Sequence, residues 1–289
     1  MPLTFLPTRD TARMAAARQA DLDLPAKLAA ALGRSAMEAA TRGHYRFGRD
    51  TRVDWSHYVK AALRGKKSIP PDGKLLKPRP KEFTETRVLV TNETTLGVAR
   101  RLVESGVEPL ALNFANGVQP GGGFLSGARA QEETLCRSSA LFQTLVNDRM
   151  YEEHRQRPLP DSTDWAIYSP NVPVFRTDDG AELEQPYLLS FITCAAPFAP
   201  EVGQPASANM LRQRIHRVLA IARAYGYSNL VLGAWGCGAF ANDPHRTATD
   251  FRHALEHDFS GAFAEIVFAI TDWSAERKFL GPFRDVFSG

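Results

Sequence analysis

The sequence predicts a three-layer α/β/α sandwich around a mixed, largely parallel sheet, preceded by a helical N-terminal extension. Three observations carry this. From residue 87 onward, short β-branched or aromatic runs alternate with amphipathic helical segments. Several of those runs are apolar throughout, as strands covered on both faces are. The chain before them is helical in pattern and strongly basic.

Between Asp10 and Ala40 the chain is rich in Ala, Leu and Arg. Leu24, Leu28, Leu32 and Ala36 recur every four residues, which is the spacing of one helix face. Residues 66–80, KKSIPPDGKLLKPRP, hold four prolines and a glycine, so no long regular element is expected there. That places a linker between a basic extension, 1–80, and a larger α/β domain, 81–289. Within the latter, strands are expected at Arg87–Val90, Pro109–Phe114, Trp165–Tyr168, Tyr187–Cys194, Asn229–Gly233 and Glu265–Ile270. Helices are expected at Thr94–Glu104, Glu132–Val146, Met210–Tyr225 and about Asp243–His257, with Gly106 and Gly226 as C-terminal caps.

Composition narrows the class. At 289 residues, 44% hydrophobic and 23% charged, the chain can bury a substantial core. It has no run of eighteen apolar residues and no leader-like start, which predicts a cytoplasmic protein with no membrane partner. Cys136, Cys194 and Cys237 are odd in number and far apart, so neither a disulfide framework nor a structural zinc site is expected. Residues 1–80 carry 16 Lys and Arg against 7 Asp and Glu, so their +9 outweighs the total of +3 and leaves −6 for the rest. A solvated helical extension is the plainer reading of that charge; contact with nucleic acid or another polyanion is the alternative.

Two glycine clusters stand where chemistry would sit. Gly121, Gly122 and Gly123 follow a strand, and Gly233-Ala-Trp-Gly236-Cys237-Gly238-Ala239-Phe240 follows another just before a helix. In an open α/β sheet, loops at strand C-termini bind ligands, and glycines let backbone N–H groups approach them. Gly236 to Ala241 also satisfies a G-x-G-x-x-A pattern, but a single following strand does not continue a dinucleotide fold, and neither loop has the G-K-[ST] of a P-loop. Glu132 and Glu133 fall in the first turn of a helix, where the macrodipole alone accounts for acids. Following a glycine loop, with Asn113 and Asn116 before it, they also suit glycosidic cleavage: one carboxyl protonates a leaving oxygen while its neighbour or an Asn holds sugar hydroxyls. His253 and His257 stand in H-A-L-E-H rather than H-E-x-x-H, Ser126 lacks G-x-S-x-G, and Cys237 reads as a residue fitting a crowded loop.

The segment G-G-G-F-L-S-G-A-R-A-Q-E-E resembles the G-G-G-x(6–8)-Q-E-E signature of poly(ADP-ribose) glycohydrolases of the bacterial type. The resemblance extends through I-Y-S-P-N-V-P-V-F-R, I-T-C-A-A-P and L-G-A-W-G-C-G-A-F-A-N-D-P, over about residues 87–272. It implies a macrodomain fold and exo-type hydrolysis of ribose–ribose bonds, with water as the only other reactant and no metal or cofactor. By the same resemblance Glu133 is the catalytic acid/base, Glu132 holds ribose hydroxyls and Asn116 orients the distal ribose. Gly121–Gly123 and Gly236, Cys237, Gly238, Ala239 and Phe240 wrap the diphosphate, Phe240 packs on the terminal ribose, and Gln131 acts with the two glutamates. The implied partners are poly(ADP-ribose) or ADP-ribosylated macromolecules, met by a monomer. Hydrolysis of ADP-ribose from protein or nucleic acid, and ADP-ribose binding without catalysis, are the other readings. Phe198 stands where the family pattern leads one to expect Asn, and Thr271-Asp272-Trp273 is placed by position alone to meet the adenine.

Overall fold

The computed structural model describes residues 3–77 and 83–288. The chain opens with a short strand, β1 (Leu3–Phe5), and two helices, α1 (Ala12–Leu22) and α2 (Ala26–Arg42). Thr11 caps α1 by accepting from the Met14 N–H, and Gly43, in the left-handed region, ends α2. A hairpin, β2 (His44–Phe47) and β3 (Thr51–Asp54), a helix, α3 (Ser56–Gly65), and a three-residue strand, β4 (Lys67–Ile69), follow. After them come β5 (Thr86–Thr91), α4 (Thr95–Glu104), β6 (Pro109–Ala115), α5 (Gln131–Ser138), α6 (Leu141–Leu145) and α7 (Arg149–Arg155). The remainder is β7 (Ala166–Arg176), β8 (Glu182–Ala195), α8 (Ala199–Val202), α9 (Ala206–Ala224), β9 (Asn229–Leu232), α10 (Pro244–Glu256), β10 (Glu265–Ala269) and α11 (Leu280–Val286).

Eight strands form one sheet in the order β1-β5-β10-β9-β6-β8-β7-β4. Pairing is parallel from β1 across to β8 and antiparallel for β8–β7 and β7–β4. One apolar cluster packs α2, α3, α4, α5 and α6 on one face, and a second packs α9, α10 and α11 on the other. Both layers cover the central strands, which is why β6 reads as Pro-Leu-Ala-Leu-Asn-Phe-Ala rather than as an alternation.

Residues 3–77 are not set apart by the expected linker. The helices foreseen for this region are present, yet β1 and β4 are the two edge strands of the same sheet, and α2 lies directly on α5. Gly33 allows that approach, since a Cβ there would meet the Phe124 carbonyl oxygen at 2.5 Å. The prolines foreseen as a boundary at 78 and 80 lie outside the described residues. Trp55 fills the space between α2 and the sheet, with no exposure, its indole N–H donating to the Ala39 carbonyl and its ring 4.6 Å from that of Phe175.

The helix expected over 132–146 is broken in two. Ser139 adopts an extended conformation and bridges to Val174 of β7, and the Ala140 N–H donates to the carbonyl of Pro173. The Ser139 hydroxyl donates to Leu135 O and accepts from Leu141 N, closing α5 and opening α6 with one side chain. Trp55→Ala, which removes this integrating side chain, is expected to cost about 3–5 kcal/mol in chemical denaturation, showing that the N-terminal segment unfolds with the rest.

Candidate functional site

Three consecutive residues at the start of α5 each hold a different piece of backbone. The Gln131 carboxamide accepts from Phe114 N at 2.9 Å and donates to Leu112 O at 2.8 Å and to the Thr95 hydroxyl at 3.1 Å. It therefore ties the helix to the end of β6, and Gln131 is also among the residues that line the cleft. Glu132 accepts from Asn116 N at 2.7 Å through Oε2 and from Asn113 Nδ2 at 3.2 Å through Oε1. Glu133 Oε1 accepts from Gly123 N at 2.9 Å, while its Oε2 is buried with no hydrogen-bond partner. Asn116 turns its own side chain to the loop, Oδ1 accepting from Val118 N and Gln119 N.

The triglycine has a steric purpose that its sequence did not disclose. Gly122 has φ +56°, and a Cβ there would fall on Glu133 Oε1 and within 3.2 Å of Glu132 Oε2. Its N–H donates to Gln119 O, and the Gly123 N–H is the one that holds Glu133. The loop thus folds over both carboxyl groups, and Gly121–Gly123, expected to hold a diphosphate, sit behind the acid instead of forming a wall of the cleft.

The cleft itself is about 480 Å³ and lies at the C-terminal ends of the parallel strands. Asn116, Glu132 and Glu133 form one end; Gly236, Gly238, Ala239 and Phe240 form one side. Cys237, placed in the same loop by sequence, turns its thiol away toward Trp235 O at 3.5 Å and the Thr247 hydroxyl at 3.6 Å, and burial pushes that thiol up to about 12. Phe240 stands edge-on to Phe198, ring centroids 5.7 Å apart, so the departure at Phe198 acts through the aromatic side chain that lines the cleft. Trp273 and Phe279 line the cleft as well, together with Leu22, Glu93, Arg129 and Asp178. Of these only Trp273 was in view from the sequence. Asp178 is pushed up to about 6 by burial, against the Thr94 hydroxyl that donates to it and the nearby Arg137 cation. No sequence signal marks it, because its burial follows from how the β7–β8 connection folds back.

Burial pushes the Glu132 carboxyl up to about 8; the Asn116 N–H opposes this and the charge of Glu133 adds to it. Asn113, fully buried, donates to both Glu132 and the hydroxyl of Thr193, its register partner on β8, and leaves its own Oδ1 without a partner. A carboxamide at this place can offer its nitrogen to a charged Glu132 or its oxygen to a neutral one. Among the described residues no group of three or more His, Cys, Asp or Glu is arranged to hold a metal ion, and no helix is long and apolar enough to cross a membrane.

Because folding raises the Glu132 pKa from 4.5 to about 8, the folded protein holds this proton more tightly than the unfolded chain. The resulting stability is fully present below the lower value and lost as pH rises through the higher one. Glu132→Gln is therefore expected to flatten the fall in melting temperature across that window, an effect on the order of 1–3 kcal/mol, read by thermal unfolding at a series of pH values.

The comparisons with known proteins agree with this geometry. The family model for the microbial-type PARG catalytic domain matches residues 33–177. The poly(ADP-ribose) glycohydrolase of Thermomonospora curvata is 39% identical, with a TM-score of 0.85 over 90% of this chain and 99% of its own. The same enzyme bound to the inhibitor ADP-HPD matches at a TM-score of 0.82 over the same shares, again at 39% identity. The poly(ADP-ribose) glycohydrolase of Deinococcus radiodurans in complex with ADP-ribose is 40% identical, with a TM-score of 0.76 over 82% of this chain and 99% of its own. Among curated protein sequences no match is found. The fold, the paired glutamates and these likenesses together place the chain in the microbial-type poly(ADP-ribose) glycohydrolase family.

Proposed function

We propose that Glu133 is the general acid/base with which this glycosidase hydrolyses the ribose–ribose bonds of poly(ADP-ribose), releasing ADP-ribose from chain ends. The observation that carries this is the division of labour within one carboxyl group. Oε1 is fixed by the Gly123 N–H, and Oε2 is buried without a protein partner in a residue that lines the cleft. A group so held meets the first requirement of a general acid, which is position. Glu133 gives its proton to the departing 2′-oxygen as the C–O bond breaks, leaving an oxocarbenium-like ribose. It then takes a proton from the water that attacks that carbon, and both bond changes balance with water as the only co-reactant. The carboxylate formed between the two steps keeps the Gly123 N–H and has the buried guanidinium of Arg137, one turn along α5, within electrostatic reach.

Glu132 supports this as the neighbour that holds the ribose. It is tied to β6 through Asn113 and to the following loop through Asn116, so a hydroxyl bound by it is placed relative to both segments. Gln131 positions the pair by tying α5 to β6. The loop Gly236–Phe240 offers backbone to the diphosphate, and Trp273 and Phe279, which also line the cleft, offer aromatic surface for the adenine. Three free, buried cysteines fit a reducing compartment, in keeping with a monomeric cytoplasmic enzyme.

The test compares wild type and Glu133→Gln on poly(ADP-ribose), mono-ADP-ribosylated protein and ADP-ribosylated DNA, quantifying released ADP-ribose. Wild type is expected to release it from polymer, and the Gln variant to lose about 10²–10⁴-fold in rate while still binding ADP-ribose. Binding without release by wild type would leave only a reader of ADP-ribose, and release from the mono-modified substrates alone would move the reaction to that class. Gly122→Ala carries a second expectation. By driving Glu133 out of place it lowers kcat about 10²-fold without removing a reacting group, and an unchanged kcat would show that the loop does not set the acid's position.

A further inference from the structure

We propose that the basic hairpin β2–β3 and the adjoining face of α3 form a second binding surface for the same polymer. This surface engages the phosphates of units beyond the one held in the cleft. The inference rests on the function proposed above and adds a length-reading site to it.

The hairpin carries a charge arrangement that costs stability. Arg46 and Arg52 are direct cross-strand partners and both are exposed, so two like charges face each other on one side of the ribbon. Arg49 stands at its turn, and Lys60, Arg64 and Lys67 continue the basic surface on α3 and just after it, all exposed. Between Arg42 and Lys67 there are eight Lys and Arg against two Asp. One of those acids is occupied: Asp54 accepts from the N–H and hydroxyl of Ser56 at 2.9 and 2.8 Å. Arg42 pairs with Glu38 and Lys66 with Asp148, whereas Arg46, Arg49, Lys60 and Arg64 pair with no acid among the described residues. An array of unneutralised cations with an opposed Arg pair suits a polyanion that supplies the missing charge.

The choice of polyanion follows from where the array sits. Helix α2 joins it to the catalytic loop. Gly33 abuts Phe124, Gly127 abuts Ala26, and Arg34 Nη1 donates to Leu125 O at 3.3 Å, all within the stretch that leads from Gly121–Gly123 to Glu133. From Gly33 to the start of the hairpin after Gly43 is ten residues of helix, roughly 15 Å. The exposed stripe of α2 carries Lys27 and Arg34 along that path, followed by the Glu38–Arg42 pair. A linear polymer with its reacting bond at Glu133 and two phosphates in every repeat has its following units available to run along this stripe. Tyr45 is buried, and Phe47 and Tyr58 are half-buried, so this surface is suited to phosphates rather than bases, and the choice of polymer rests on its path from Glu133.

The double variant Arg46→Gln/Arg52→Gln separates the possibilities, because relief of the like-charge pair is expected to leave the melting temperature equal or higher. Its KM for long poly(ADP-ribose) is expected to rise about tenfold, with a two-unit oligomer changed less than twofold, and the salt dependence of log KM to fall by roughly 1–2 in slope. Lys60→Gln/Arg64→Gln, on the helix instead of the hairpin, is expected to act in the same direction. Equal KM values for long polymer in variant and wild type overturn the proposal, as does an equal rise for the two-unit substrate. Duplex DNA bound through these arginines, with polymer kinetics unaltered, overturns it in favour of a nucleic-acid surface. Failure of wild type to release ADP-ribose at all is a different result, which refutes the activity and not the surface; binding of long polymer to Glu133→Gln then still reports on the hairpin.

Discussion

The clamp between the first turn of α5 and the C-terminal end of β6 is the constraint on which the site depends. Gln131 fixes the helix to Leu112 and Phe114, Glu132 catches Asn116 just past the strand, and Glu133 catches Gly123 within the loop. Each contact pairs a side chain with backbone groups left unpaired where β6 runs out, so the carboxyls are positioned by the need to satisfy those groups. The loop between strand and helix can then be long without being loose, since both of its ends and its middle are tied to the same helical turn.

This arrangement has an electrostatic consequence. Two buried carboxyls stand in one site, and the charge of Glu133 adds to the effect of burial in raising the Glu132 pKa. At Glu132 the helix N-terminus and the Asn116, Asn113 and Gly121 donors favour charge, whereas burial and the charge of Glu133 oppose it. At Glu132 burial wins, despite the Asn116 N–H. A proton is thereby retained on Glu132 at neutral pH, in a place where the macrodipole alone would have expelled it.

Much of the fold was legible in the sequence because the central strands are buried on both faces and announce themselves as apolar runs. β5, β6, β8, β9 and β10 coincide closely with expectation, and so do α4, α9 and α10. The edges were not legible. β1 and β4 are three residues each, too short to show a period, and β4 lies inside a stretch whose prolines read as a linker. The break in α5–α6 depends on Ser139 meeting β7 from far along the chain, which no local pattern encodes. Within the site, the identities of Glu132, Glu133 and Asn116 came from their motif, but their partners did not. Gln131 and the triglycine were read by what they can bind, and the structure adds the protein groups they reach: Leu112, Phe114 and Thr95 for Gln131, and Glu133 for the Gly123 N–H.

The same reasoning explains why the N-terminal segment looked detachable and is not. Its basic charge sets it apart from the acidic remainder, and charge asymmetry in a sequence is commonly the mark of a separate module. Here the asymmetry has been placed on one sheet: β1 and β4 extend its two edges, and α2 covers the catalytic loop through Gly33 and Ala26. Both edges thereby end in strands of three residues, which present too short a row of unpaired groups to invite association. The charge is carried on the outward faces of elements whose inward faces complete the core, as in α2, where buried Ala29, Ala36 and Ala40 alternate with exposed Lys27, Arg34 and Arg42. A segment that must pack cannot lose its apolar face, but it is free in its choice of surface charge, so a retained basic surface opposite an acidic body calls for a reason outside folding.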